Sequence, residues 1–207
     1  MQKDLLSYEK LLWKKGLKSI SGVDEVGRGC LAGPVIAAAV ILPANKKIAK
    51  KLEKVNDSKL LKPALRKELF SLIQEHALDY SLGIVSANVI DHINILQATF
   101  LAMRRALAGL TVPPEFVLVD GNKKIPRINT EQVAIIKGDS NSLSIAAASI
   151  LAKVVRDDIM TELANNYPGY FFEKHKGYPT SVHREALQEK GLTDIHRLTF
   201  CKKFTGL

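Results

Sequence analysis

Residues 21–43 read Ser21-Gly-Val-Asp24-Glu25-Val-Gly27-Arg28-Gly29-Cys30-Leu-Ala-Gly33-Pro-Val35-Ile-Ala-Ala-Ala-Val-Ile-Leu42-Pro43. Two short apolar runs, 20–26 and 35–42, predict neighbouring core strands that pair antiparallel. Between them lie two adjacent carboxylates and a Gly-Arg-Gly turn. Successive strand residues face opposite sides of a sheet, so Asp24 and Glu25 can serve one site only where the strand ends or twists. The glycines permit that. A buried carboxylate pair is costly unless a cation neutralises it. The plainer alternative is an acidic hairpin end standing in water.

Outward from this stretch, the pattern alternates. Residues 1–18 predict a short amphipathic helix, with Leu5, Leu6, Leu11, Leu12 and Trp13 set among lysines. A basic segment, 46–55, predicts another helix. Pro63 marks a first helical position, with Leu65, Leu69, Leu72 and Ile73 as the buried stripe. Residues 80–85 predict a strand. Ser86 suits the N-cap of one long helix over 87–107, whose stripe is Val89, Ile93, Leu96, Phe100 and Met103. Phe116-Val-Leu-Val-Asp120 is a short apolar strand, and 132–136 is another. A helix over 142–165 follows, its small face at Ala146, Ala147, Ala148 and Ser149 suited to close packing on a sheet. Strands alternating with helices after an initial pair predict an α/β fold with a mixed sheet. From Tyr167 the chain turns aromatic and basic, so residues 1–166 are expected as the core and 167–207 as a helical cap packed on it.

The composition is that of a globular chain: 207 residues, 46% hydrophobic and 25% charged. No apolar run is of transmembrane length, and the N-terminus does not resemble a secretory signal, so a cytoplasmic protein without a membrane partner is expected. Cys30 and Cys201 are too few for a disulfide framework and lack metal-ligand spacing, which favours two free thiols. The net charge of +9 suits a polyanionic partner. A basic protein with a central acid cluster suggests a metal site facing a phosphodiester.

Asp24, Glu25, Asp120 and Asp139 each lie at or just past the end of an apolar strand, where open α/β sheets place ligands. Taken alone, Asp120 also reads as a turn aspartate before Gly121, and Asp139 as an N-cap. Together the four resemble hard oxygen ligands for Mg²⁺ or Mn²⁺. Two such ions can activate a water and stabilise a leaving oxygen in phosphodiester hydrolysis. His175, His183 and His196 do not form the His-Glu-x-x-His pair of a zinc protease, and there is no Gly-x-x-x-x-Gly-Lys-Ser/Thr phosphate loop.

Gly22-Val-Asp-Glu-Val-Gly-Arg-Gly29, Leu31-Ala-Gly-Pro-Val35, Asp57-Ser-Lys-Leu60, Lys137-Gly-Asp-Ser140, Ala147-Ala-Ser-Ile-Leu-Ala-Lys153 and His175-Lys-Gly-Tyr-Pro-Thr180 resemble, in order, the signatures of the ribonuclease HII family in its bacterial form. The resemblance runs from about residue 19 to the C-terminus. The sister type, ribonuclease HIII, usually carries an extra N-terminal domain. The resemblance implies a ribonuclease H-like fold and endonucleolytic cleavage of RNA paired with DNA, including a lone ribonucleotide in duplex DNA. It implies Asp24, Glu25, Asp120 and Asp139 as catalytic acids holding two Mg²⁺ or Mn²⁺ ions. It implies Gly27, Arg28 and Gly29 as readers of the ribose 2′-hydroxyl, which is what separates RNA from DNA. Ser58 and Lys59 are implied as phosphate contacts, Asn94 as a backbone contact and Tyr178 as a junction sensor. A solvated loop and a helix-surface amide are the plain alternatives for 58–59 and Asn94.

The expected partners are RNA–DNA hybrids and ribonucleotide-containing duplexes, met by a monomer. The tail Leu198-Thr-Phe-Cys-Lys-Lys-Phe204 has the aromatic content of a sliding-clamp docking segment, but a packed or frayed terminus is the expectation preferred for it. Two other functions compete. A DNA-only nuclease of the same fold, such as a junction resolvase, has no 2′-hydroxyl for a Gly-Arg-Gly turn to read. A non-catalytic hybrid-binding module would tolerate loss of an acid, and none is missing.

Overall fold

Strands β1 (Ile20–Val26) and β2 (Val35–Ile41) form the expected antiparallel pair, in register from Ser21 opposite Ile41 to Val26 opposite Ile36. The computed structural model describes residues 4–55, 58 and 61–205. Strand β3 (Asp79–Val85) adds antiparallel to β2, while β4 (Phe116–Asp120) and β5 (Gln132–Ile135) run parallel beyond β1. The sheet order is β3-β2-β1-β4-β5, which makes β1 central. All seven residues of β2 are buried, because helices cover both faces of the sheet. Its unbroken Val/Ile/Ala composition follows from that double burial.

One face packs Val35, Ala37 and Ala39 against α4 (Ala87–Ala108). The other packs Ile36, Ala38 and Val40 against α5 (Leu143–Asn166) and α3 (Pro63–His76). The helix α1 (Ser7–Lys14) joins this second layer through Leu6 and Trp13. The small residues of α5 work as expected, with Ala146, Ala147 and Ala148 wholly buried. Gly22 of β1 completes the fit: a Cβ there would lie 2.1 Å from the carbonyl carbon of Ser144.

Two predicted helices differ. The helix expected over 46–55 is only α2 (Lys47–Lys51). Lysines at 47, 50 and 51 repel at helical spacing, although Asn45 Oδ1 accepts from Lys47 N at 3.0 Å at the start. The single helix expected over 87–107 is broken at Asn94, whose φ of 64° and ψ of 164° are not helical. The Asn94 carboxamide oxygen accepts from the amides of Leu96 (3.0 Å) and Gln97 (3.1 Å) and so caps a second helical segment. Ser86 occupies the predicted cap position but makes no side-chain cap bond. Ser142 does cap α5, accepting from Ile145 N.

The C-terminal segment holds α6 (Phe172–His175), α7 (Ser181–Lys190) and α8 (Leu198–Thr205). They gather around Phe172 and pack on Leu31, Ala32 and Met160. Phe200 and Phe204 lean on the same cluster and Cys201 is buried in it, so the aromatic side chains of the tail pack on the rest of the chain. Both cysteines are buried, and no disulfide joins them. No helix among the described residues is long and apolar enough to cross a membrane.

Three buried histidines lie in this cluster. The rings of His175 and His183 stack at 4.4 Å, and Nε2 of His183 faces Nε2 of His196 at 3.1 Å. One nitrogen of that pair must donate and the other accept, so the pair tolerates a single shared proton. Burial lowers both His183 and His196 from 6.5 to about 4. Below 6.5 the unfolded chain takes up protons that the folded chain refuses until about 4, so these groups cost stability as pH falls across that window. Asp24 and Glu25, both raised, act in the opposite sense at acid pH. The pair is therefore isolated by difference. The melting temperature of wild type should fall more steeply from pH 6.5 to 4 than that of a His183→Gln variant. Parallel profiles would remove the histidines from the acid response.

Candidate active site

Parallel pairing of β1 and β4 sets Val23 opposite Val119, so the next step along each strand brings Asp24 beside Asp120. Glu25 joins them. One carboxylate oxygen from each of the three lies within 4.8 Å of the other two. Strand alternation alone would separate Asp24 from Glu25. The strand ends at Val26, and the Asp24 carboxylate folds back to accept from Glu25 N at 2.6 Å. The Ser149 hydroxyl of α5 supports Asp24 from below. Glu25 meets the Arg28 guanidinium at 3.1 Å.

The electrostatics of this cluster are unfavourable by themselves. Burial first, then the Glu25 and Asp120 charges, pushes Asp24 well above the ordinary carboxylate range. Burial raises Glu25 as well, against the pull of Arg28. Three carboxylates gathered so closely, with one guanidinium on one of them, suit a hard divalent cation with oxygen ligands. The donor set therefore fits the metal that the sequence anticipates.

Asp120 is fixed from the far side, its Oδ1 accepting from Gly138 N at 2.6 Å. Gly138 opens the 3-10 turn Gly138–Ser140, entered through Lys137 in the left-handed region (φ 54°). Asp139 is the next residue. It is buried and accepts from Ser140 Oγ at 3.4 Å, and its carboxylate stands outside the close set of three. The start of α5 beyond this turn is held by Glu9. That buried carboxylate accepts from Ser142 Oγ (2.7 Å), Ser144 N (3.1 Å) and Ser144 Oγ (2.8 Å). A negative group at a helix N-terminus is favourable, so α1 seats α5 and the turn ahead of it.

The Gly27-Arg28-Gly29 turn borders the acids. Gly27 has φ 93°, and a Cβ on it would lie 2.2 Å from Arg156 Nε, so the fold itself requires glycine there. Gly29 differs: among the described residues nothing lies within 4 Å of where its Cβ would be. A cavity of about 240 Å³ lies between Glu25, Arg28, Asp120 and Lys123. A second, of about 420 Å³, is lined by Glu25, Ser58, Lys153 and Tyr178 among others. Glu25 borders both. The Tyr178 ring is half-buried, with Lys153 Nζ and Arg156 Cζ each 5.8 Å from its centroid.

Other anticipated contacts sit differently. The Ser58 hydroxyl is turned inward, 2.8 Å from Ser149 Oγ. Lys59 lies outside the described residues. Asn94 is exposed, but its carboxamide oxygen is engaged in the helix cap. Asp157 stays out of the cluster and pairs with Arg66 (3.0 Å) and Lys153 (2.8 Å). Sequence reasoning missed Glu9, Ser149, Arg156 and Arg197. Arg156 had a signal, an arginine within a long helix of small and apolar residues. Arg197 had none.

Residues 21–203 match the family model described as Ribonuclease HII. A Ribonuclease HII of Endomicrobium trichonymphae is 50% identical over 200 residues, covering 97% of this chain and 93% of that protein. Another, from Clostridioides difficile (strain 630), is 51% identical over 195 residues, covering 94% and 74%. The crystal structure of ribonuclease H2 from Pyrococcus horikoshii OT3 is similar at 28% identity and a TM-score of 0.74, covering 91% of this chain and 97% of that one.

Proposed function

Since the chain belongs to the ribonuclease HII family and is an endoribonuclease of ribonuclease H type, we propose that it cuts the RNA strand of RNA–DNA hybrids and the 5′ side of single ribonucleotides embedded in duplex DNA. The products would carry 3′-hydroxyl and 5′-phosphate ends. The observation that carries this reading is the close set of buried Asp24 and half-buried Glu25 and Asp120, drawn together against their own repulsion. With Asp139 one residue beyond the Gly138 amide that holds Asp120, they would bind Mg²⁺ or Mn²⁺. Such ions supply a more acidic water and neutralise charge developing on the phosphate and the leaving oxygen.

The chain's own groups do the rest. Arg28 sits half-exposed beside Glu25, where it would meet a substrate oxygen. The open space at Gly29 would let backbone approach a ribose closely, and no packing among the described residues accounts for a glycine there. Tyr178, bordering the cavity that reaches Glu25, would stack on the deoxyribose 3′ of the ribonucleotide, a contact of the kind worth about 1–3 kcal/mol. Lys123 and Lys153 line the two cavities and suit phosphates. In this reading residues 1–166 are the catalytic core, and 167–207 are a cap that presents Tyr178 to it.

A DNA duplex with one embedded ribonucleotide tests the proposal. Cleavage should occur with Mg²⁺ or Mn²⁺, stop in excess chelator, and leave an upstream fragment that a polymerase extends directly. Undiminished cleavage in chelator, or a cyclic phosphate end, would overturn it.

A further inference from the structure

The turn proposed to read the ribose is held by an arginine from the far end of the chain. Arg197 is wholly buried, and among the described residues no carboxylate pairs with it. Its guanidinium donates instead to main-chain carbonyls: Nη2 to Gly27 O (2.7 Å) and Gly33 O (2.8 Å), Nη1 to Arg28 O (3.0 Å), and Nε to Gly33 O (3.1 Å). Burial lowers Arg197 to about 10, which leaves it charged at neutral pH.

In a trans peptide the N–H points opposite to the carbonyl of the same unit. No cis peptide is present among the described residues. With Gly27 O and Arg28 O drawn inward to Arg197, the amides of Arg28 and Gly29 therefore face away from it. Among the described residues neither amide donates to another group of the protein. They are two adjacent donors beside the open space at Gly29.

A second buried guanidinium braces the same region. Arg156 on α5 donates to Pro34 O (2.9 Å), Ala32 O (3.1 Å) and Lys176 O (2.9 Å), and packs beneath Gly27. Lys176 stands two residues before Tyr178. Arg156 thus ties the segment carrying Tyr178 to the loop that follows the Gly-Arg-Gly turn.

We propose that Arg197 and Arg156 are positioning residues for ribose recognition: Arg197 turns the Arg28 and Gly29 amides toward the substrate sugar, and Arg156 fixes the separation between that turn and Tyr178. This rests on the function proposed above. A guanidinium holds several carbonyls in fixed, spread directions, whereas an ammonium offers three rotatable donors at a single point, so lysine, which keeps the charge but not the fork, is the discriminating substitution.

The test uses the full chain with Arg197→Lys and Arg156→Lys. Two duplexes, one with a single ribonucleotide and one all-DNA, are bound in Ca²⁺ to suppress turnover. Cleavage of the embedded ribonucleotide and of a continuous hybrid is then timed in Mg²⁺, and melting temperatures are recorded. Arg197→Lys should remain folded and lose about tenfold or more of the wild-type preference for the ribonucleotide duplex, since small misplacements of recognition groups are amplified. Arg156→Lys should lose more rate on the embedded ribonucleotide than on the hybrid. Folded variants that keep the wild-type preference and the wild-type rate ratio would overturn the proposal. So would failure of both variants to fold, which would make the arginines purely structural. A wild type that binds both duplexes alike would also overturn ribose recognition by this turn, whereas one that cuts neither ribonucleotide substrate would defeat the function itself.

Discussion

Asp120→Asn should lower turnover by about 10²–10³-fold and leave the fold standing, the loss typical of removing one electrostatic group from a catalytic site. Asparagine keeps an oxygen for the Gly138 amide that now bonds Asp120 at 2.6 Å, so the turn ahead of α5 stays in place. The change removes a charge from a cluster whose members lie within 4.8 Å of one another. Repulsion on Asp24 drops, and the melting temperature should hold or rise. Activity and stability thus move in opposite directions, which a merely structural aspartate would not produce. Asp139→Asn should follow Asp120→Asn in rate. Asp157→Asn should not, for Asp157 lies roughly 21 Å along α5 from Leu143 at 1.5 Å per residue, and its partners are Arg66 and Lys153. Steady-state rates on an embedded-ribonucleotide duplex, with melts of each variant, check this. Full activity in Asp120→Asn would remove the cluster from the chemistry.

Gly22→Ala should cost the most stability of any one-carbon change on β1. The added Cβ would meet Ser144 C at 2.1 Å, Ile145 N at 2.3 Å and Ser144 O at 2.5 Å, all backbone atoms. Backbone within a helix cannot swing aside as a side chain does, so the first turn of α5 must move away from the sheet. Overpacking of this kind costs about 1–3 kcal/mol, sometimes more, equivalent to a fall of about 2–12 °C in a chain of this length. The displaced turn is the one that Glu9 caps and that Gly138 and Asp139 lead into. Turnover at low temperature should therefore drop as well, in protein that is still folded. A melt within 1 °C of wild type, as an order-of-magnitude threshold, would mean that α5 yields freely.

The sequence carried the sheet well because its signals are local. The strands over 20–26 and 116–120 show as apolar runs with turn residues at their ends, and Pro63 and Ser142 mark helix starts by their own chemistry. The break at Asn94 was hidden by an apolar stripe that keeps helical spacing through it. A signal was present nonetheless: Asn94-Ile-Leu-Gln97 has the form of a capping box, an amide followed three residues later by glutamine. Of the candidate site, the closeness of Asp24, Glu25 and Asp120 was legible because they lie at the ends of neighbouring parallel strands, whereas Asp139, in the turn beyond β5, stands outside that close set. The inward turn of Ser58 was not, since its partner Ser149 is 91 residues away. Nor were Glu9 and Arg197, whose partners are backbone and hydroxyl groups brought near only by the finished fold. Such partners leave no pattern of residue types to read.

The reach of Arg197 also sets an order in time. Gly27, Arg28 and Gly33 are made early, and the side chain that gathers their carbonyls is 164 to 170 residues later in the chain. At about 5–20 residues per second, synthesis needs roughly ten to thirty seconds to deliver it. The strands and acids can assemble while the turn beside them still lacks its clasp. A nascent chain stopped short of residue 197 would hold its acids in place and leave the neighbouring turn slack. Delivery of residue 197 would then tighten a turn made some 170 residues earlier.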